Sequence, residues 1–331
     1  MHCSELRWHE PPGQALRALP LLTLYLSERC NSRCISCDWW RSGQRDFSVQ
    51  MLERQLPALR RLGTEVVMLS GGEPLLHPEW MHIATLLRRH GIRPWLLSSG
   101  LAVAKHAAEI AHLFDSVTVS LDAADAARYA RIRGVDGFEA VCRGVSAMAE
   151  LGRPVSVRTT VQSANYRELP QIARLARLLG AASISFLAAD VGAGSAFGRH
   201  GEASPEIALG HEDLPVLEAV LEELAEFEAD GFVLESRAKL QRLAAYFRAL
   251  LGEGEFPPVR CNAPEFSAVM EADGALRPCF FIPGSQLGVE EPLDERLNSV
   301  QQTSLRADIR AGQRPECRTC VCSMWRENAR F

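Results

Sequence analysis

Leu21-Leu22-Thr23-Leu24-Tyr25-Leu26-Ser27-Glu28-Arg29-Cys30-Asn31-Ser32-Arg33-Cys34-Ile35-Ser36-Cys37 governs the reading of the chain. An apolar, strand-like run from Leu21 to Leu26 delivers the backbone to three cysteines spaced three and then two residues apart. Thiolate sulfur is the ligand that iron–sulfur clusters use, and one tight loop of this kind can hold three corners of a cubane. A cubane has four irons, so three ligands leave one iron open to a group that is not protein. Two blander readings compete. Cysteine is often a small buried apolar residue. Zinc also takes closely spaced cysteines, but its structural sites normally close with a second short-spaced pair. Here the nearest such pair is more than 200 residues away and belongs to another group.

Outward from this loop the chain has the rhythm of short apolar run, polar turn and helical stretch, which predicts parallel strands joined by crossover helices. Strands are expected at 65–70, 94–97, 116–122, 154–161 and 183–187, with helices between them, including 48–61 and 101–112. Six such units make an α/β partial barrel, a (β/α)6 half-open cylinder. The expected division is a lead-in at 1–20, the barrel at 21–190, a glycine-rich flap and helical insert at 191–258, and a cysteine-rich α+β unit at 259–331. His200 and His211 in the flap region lack metal-ligand spacing. At 331 residues and 47% hydrophobic there is ample material for a core. The net charge of −5 speaks against a nucleic-acid partner. No apolar run approaches the roughly 20 residues that span a bilayer. The start, Met1-His2-Cys3-Ser4-Glu5, lacks the regions of a signal peptide. A cytoplasmic protein with no membrane partner is therefore expected, in which ten cysteines argue for metal or redox sites over disulfides.

Cys30, Cys34 and Cys37 match the C-x3-C-x2-C signature and the chain resembles the radical S-adenosylmethionine (radical SAM) enzymes. The resemblance departs at Ser36, where that family has an aromatic residue beside the adenine. It implies that the open iron chelates the amino and carboxylate groups of S-adenosylmethionine (SAM). One electron then cleaves SAM to a 5′-deoxyadenosyl radical, which abstracts hydrogen from substrate. Gly71-Gly72-Glu73-Pro74, at the end of the second strand, resembles the family's GGE motif, which holds the SAM ammonium. On the residues alone, two glycines let a backbone approach a ligand and Glu73 supplies an acceptor; an ordinary strand-to-helix turn is the alternative. Ser98 and Ser99 end the third strand, where hydroxyls suit a ribose or cap a helix. Ser120 and Asp122 end the fourth, and Ser120 would contact SAM. An arginine would grip the SAM carboxylate through its planar fork. Arg133 is the first choice, with Arg131 and Arg158 as the others.

Past a Gly/Pro linker ending at Pro258 come Cys261, Cys279, Cys317, Cys320 and Cys322. Asp273-Gly274 between alternating apolar residues is a hairpin signal that would bring Cys261 and Cys279 to one end of a small β-unit. The Cys317–Cys322 run would fold back over it. Four thiolates suit a closed four-iron, four-sulfur (4Fe–4S) cluster, and a zinc knuckle is the alternative. The spacing resembles the twitch and SPASM extensions of radical SAM enzymes, which carry auxiliary clusters. One auxiliary cluster is expected, held by four of the five cysteines.

The resemblance implies an oxidoreductase-type enzyme that functionalises an unactivated C–H bond and takes its electron from a flavodoxin or ferredoxin. Its relatives act on peptides, protein side chains and sugar or aminocyclitol natural products. A small molecule of the sugar or aminocyclitol kind is the leading expectation, and a peptide or protein side chain the alternative. A non-catalytic iron–sulfur scaffold or a zinc-binding module is the reading from outside enzymology.

Overall fold

A computed structural model describes residues 15–191, 197, 205–286 and 288–327. Its first elements are β1 Leu21–Ser27, α1 Trp39–Ser42, α2 Val49–Arg61, β2 Val66–Gly71, α3 Trp80–Arg89, β3 Arg93–Ser98, α4 Ala107–Leu113 and β4 Ser116–Ser120. α5 Ala126–Arg133, α6 Phe138–Glu150, β5 Val155–Val161, α7 Leu169–Leu178 and β6 Ser183–Ala188 follow. The remainder comprises α8 Leu214–Ala225, α9 Arg237–Leu250, β7 Ser267–Met270, β8 Leu276–Arg277, α10 Leu293–Leu297, α11 Val300–Arg310 and α12 Pro315–Arg318. Strands β1 to β6 lie side by side in parallel, as the alternation predicts.

Side-chain alternation along these strands explains the hollow. Val117 and Val119 of β4, and Val155, Val157 and Val161 of β5, are buried under the outer helices. The intervening positions, Thr118, Ser120, Ser156, Arg158 and Thr160, are only half-buried. Successive residues point to opposite faces of a strand, so the concave face is the polar one. Covering helices present complementary stripes: α2 buries Val49, Leu52, Leu56 and Leu59, and α7 buries Leu169, Ile172, Ala173 and Ala176.

Three features differ from the sequence reading. The helix expected from Leu101 to His112 begins only at Ala107, after a tight turn at Ala104–His106. Leu101 packs against Gly137, which caps α6, and Val103 against Gly144 within it, so closely that a Cβ at either glycine would crowd them. The Asp273-Gly274 hairpin forms, with Gly274 left-handed at φ 84° and Met270 facing Leu276. It is not a detached unit, however. β7 pairs in parallel with β1, Leu21 to Leu24 against Ser267 to Met270, giving one sheet in the order β6-β5-β4-β3-β2-β1-β7-β8. The apolar run Ala268-Val269-Met270 is buried, as suits a strand covered on both faces. Finally, residues 232–235 run along the free edge of β6. Ile184 N–H donates to Phe232 O (2.8 Å) and Phe186 N–H to Glu235 Oε2 (2.8 Å), which satisfies groups that an edge strand leaves open.

The insert's α8 and α9 pack on each other, on α7 and on β6, extending the outer layer. His211 pairs with Glu253 on the surface, while His200 and most of the glycine-rich flap lie outside the described residues. No helix among the described residues is long and apolar enough to cross a membrane.

Candidate active site

The cysteine loop leaves the carboxyl end of β1 and is tied down on three sides. Arg29 reaches Asp46 (2.6 Å) and the Leu76 carbonyl (2.7 Å). Arg33 N–H donates to Arg133 O (2.8 Å) and Ile35 N–H to Ile132 O (3.0 Å), seating the loop on the last turn of α5. That turn ends at Gly134 in the left-handed region, φ 66°, and a side chain there would strike the Arg33 carbonyl. Ser99 Oγ donates to Asn31 Oδ1 at 3.1 Å, joining the loop to the end of β3. Inside it, Ser32 N–H points at Cys30 Sγ (3.4 Å) and the Arg133 guanidinium at Cys34 Sγ (3.6 Å). All three cysteines are half-buried. Burial pushes the Cys30 thiol up to about 11 and the Cys37 thiol up to about 12.

Gly71 and Gly72 admit this loop's own backbone. Gly72 N–H donates to Ser27 O and Glu73 N–H to Arg29 O, both at 2.8 Å. A Cβ at Gly72 would collide with the Arg29 carbonyl. Gly72→Ala is therefore expected to shift the loop, halving or worse the iron retained after anaerobic reconstitution. Wild-type iron content at unchanged melting temperature would refute this.

Glu73 does not face outward as an open acceptor. It is fully buried, and its carboxylate accepts from Leu75 N–H (3.1 Å), Ser98 Oγ (2.9 Å) and Ser99 N–H (2.7 Å). Burial raises its pKa above the ordinary value. Pro74 opens the short turn that Glu73 caps. Ser98 is buried as a donor to Glu73, so its hydroxyl braces strand ends rather than facing the hollow.

Of the three candidate arginines, Arg131 is exposed on the outer face of α5. Arg133 is buried and bound to Asp122, Nε to Oδ2 2.7 Å, while Asp122 Oδ1 accepts from Thr160 N–H (2.7 Å). Burial opposes the charge on Arg133, but Asp122 and the Cys34 sulfur outweigh it and hold the guanidinium ionised. Arg158 lies on the concave face, opposite Ser120 in register. Its Nε donates to Ser185 Oγ at 3.2 Å, and among the described residues it has no carboxylate in salt-bridge contact.

The tail that carries Cys317, Cys320 and Cys322 is tied back to the segment that carries Cys261. Asn262 binds the tail through Met324 O (2.9 Å) and Arg326 O (2.8 Å). Cys279 and Cys261 both act electrostatically on Cys317 and on Cys320, and burial takes Cys317 up to about 11. Cys322 N–H points at Cys320 Sγ (3.4 Å), and the Cys322 sulfur senses Arg158 and Lys239 most strongly among its charged neighbours. Among the described residues no three His, Cys, Asp or Glu side chains draw together around one ion. Four cysteines of this kind can take either a zinc ion or a 4Fe–4S cluster.

One residue escaped the sequence reading. Tyr25 is buried near the end of β1, edge-on to Trp39 with ring centroids 5.3 Å apart. Cys37 from the first set and Cys279 from the second both act on its phenol, as do Arg277 and Glu271. Its alternation with Leu24 and Leu26 marks it as facing the hollow, but the second cysteine set is visible there only once β7 is known to flank β1.

Parallel strands, a cysteine loop at their carboxyl ends and a polar concave face make a half-barrel with a cluster of thiols at its mouth. Residues 24–176 match the radical SAM superfamily. A probable GTP 3′,8-cyclase of Thermococcus kodakarensis is 32% identical over 151 residues, 44% of this chain and 48% of that protein. An AdoMet-dependent heme synthase of Methanosarcina barkeri is 26% identical over 167 residues, 49% of this chain and 48% of that one. The chain thus spans about half the length of these curated relatives. In fold it is similar to Streptococcus suis SuiB bound to S-adenosylmethionine, with TM-score 0.68, 14% identity, and coverage of 94% of this chain and 74% of that one. It is also similar to anSMEcpe with bound AdoMet and the Cp18Cys peptide, at TM-score 0.65, 18% identity, and coverage of 87% and 82%.

Proposed function

We propose that the protein reductively cleaves SAM and uses the resulting 5′-deoxyadenosyl radical to take a hydrogen atom from a substrate carbon. Cys30, Cys34 and Cys37 would hold three irons of a 4Fe–4S cluster. When bound, that cluster supplies the electron that breaks the sulfonium bond and an open iron for the SAM amino and carboxylate groups. The chain's own part is to place SAM and exclude water. The Gly71–Pro74 edge offers main-chain acceptors to the ammonium, since the Glu73 carboxylate is already engaged. Ser99 and Ser120 would supply polar groups to SAM. Arg158, not Arg133, is assigned the SAM carboxylate or an anionic group of substrate, because Asp122 already occupies Arg133. Four of Cys261, Cys279, Cys317, Cys320 and Cys322 would hold an auxiliary 4Fe–4S cluster, and Tyr25 would border the substrate between the two sets. The electron donor would be a flavodoxin or ferredoxin.

The observation that carries this reading is the cysteine loop locked by backbone hydrogen bonds onto both Gly72-Glu73 and the end of α5. A small-molecule substrate is the first reading; no comparison favours a sugar or aminocyclitol in particular. A peptide is the second, favoured by the fold's likeness to SuiB bound to precursor peptide SuiA, TM-score 0.66. Anaerobically reconstituted protein with dithionite and SAM is expected to release 5′-deoxyadenosine and methionine. A scaffold or zinc protein would release neither.

A further inference from the structure

A cavity of about 260 Å³ lies where the tail meets the outer edge of the barrel. Phe186 to Ala188 at the end of β6, one face of α9, residues 256–260 and residues 318–325 enclose it. Its charged lining residues are Lys239, Arg242, Arg260 and Arg318, all cationic. Its apolar walls include Tyr246, Phe256 and Trp325.

The arginines here are treated differently from their neighbours. α9 pairs Arg237 with Glu222 and Arg248 with Glu218, and Lys239 lies 3.5 Å from Glu235. Arg242, the α9 arginine that faces the cavity, donates to Ser323 Oγ (3.2 Å) and the Pro257 carbonyl (3.4 Å). The Arg260 guanidinium rests on the Trp325 ring, 4.0 Å from its centroid. None of Arg242, Arg260 and Arg318 has a carboxylate in salt-bridge contact among the described residues. In a chain of net charge −5, three guanidinium groups without a salt-bridged carboxylate border one small space, half-buried Arg242 and the exposed Arg260 and Arg318. An anion entering it would meet positive charge from three segments.

We propose that this cavity binds a small organic anion, a carboxylate or phosphate ester with a flat apolar body. Arginine forks grip carboxylate and phosphate oxygens bidentately, and aromatic walls take a planar group. The volume is just below the roughly 300 Å³ at which drug-sized sites begin, which favours a compact ligand. Cys320 is part of the lining, so the ligand lies beside the second cysteine set. This inference is independent of the radical chemistry proposed above.

Calorimetric titration of the reconstituted, anaerobic protein with phenyl phosphate, benzoate, benzyl alcohol and benzylamine tests it. At least one of the two anions should bind once per chain, at least tenfold more tightly than the neutral and cationic compounds. Comparison of the two anions distinguishes phosphate from carboxylate. The double variant R260Q/R318Q should weaken anion binding at least tenfold while melting temperature and iron content stay near wild type. W325A, which removes the flat wall, should weaken it less. Equal binding of all four compounds, no binding of either anion, or unchanged anion affinity in a folded R260Q/R318Q protein would overturn the proposal. The titration needs neither SAM nor reductant, so its failure would leave SAM cleavage standing. Failure to cleave SAM would leave the cavity standing.

Discussion

Replacing Cys30, Cys34 and Cys37 together by alanine is expected to bring 5′-deoxyadenosine release down to the level of buffer. About half of the iron should be lost with it, because the C-terminal thiolates would still hold their own cluster. The combination of readouts matters. Loss of activity with all iron gone would mean that the loop holds the fold together, and the melting temperature would reveal that. Loss of activity with no change in iron would mean that the loop never bound a cluster. Cys142→Ala is the control, since Cys142 lies on α6 and belongs to neither set in sequence. Any 5′-deoxyadenosine formed above background by the triple variant would remove the basis of the proposed chemistry.

Asp122→Ala should produce the largest effect on stability. Asp122 is 3% exposed and Arg133 9%, so the variant leaves a buried guanidinium without its counter-ion and the Thr160 N–H without its acceptor. Removing one partner of a buried pair typically costs about 3–5 kcal/mol. A fall in melting temperature on the order of 10 °C follows. Because the carbonyls of Ile132 and Arg133 hold the cysteine loop, iron retention should fall as well. The double variant Asp122→Ala/Arg133→Met should recover much of the melting temperature, since an apolar pair of similar bulk can replace a buried ion pair. If the double variant is no more stable than the single one, the pair is not what stabilises this region.

Much of the barrel was legible because it rests on local pattern. The valine alternation of β4 and β5 and the apolar stripes of α2 and α7 mark strands and helices without reference to anything distant. The cysteine loop stood out in the sequence because three cysteines at that spacing serve few other purposes, whereas Gly71-Gly72, read as an approach for a ligand, admit the loop's own backbone in the fold. What local pattern shows is which face a residue is on, never what that face meets. Glu73 reads as an acceptor in any context, yet only the fold reveals that the end of β3 uses both its oxygens. Arg133 and Arg158 are equally cationic in sequence, and Asp122 alone separates them. Arg242, Arg260 and Arg318 come from three segments, and no single window of sequence holds their shared cavity.

The lateral seat of β7 on β1 has a consequence for biogenesis. During synthesis the first strand emerges early, but its partner on one flank, residues 267–270, emerges among the last. Until then that flank offers unpaired N–H and C=O groups, the condition under which chains associate edge to edge. A nascent or truncated polypeptide ending before Ser267 would thus be adhesive, and its N-terminal thiols would sit beside an unprotected border. Pairing of β7 with β1 closes that border.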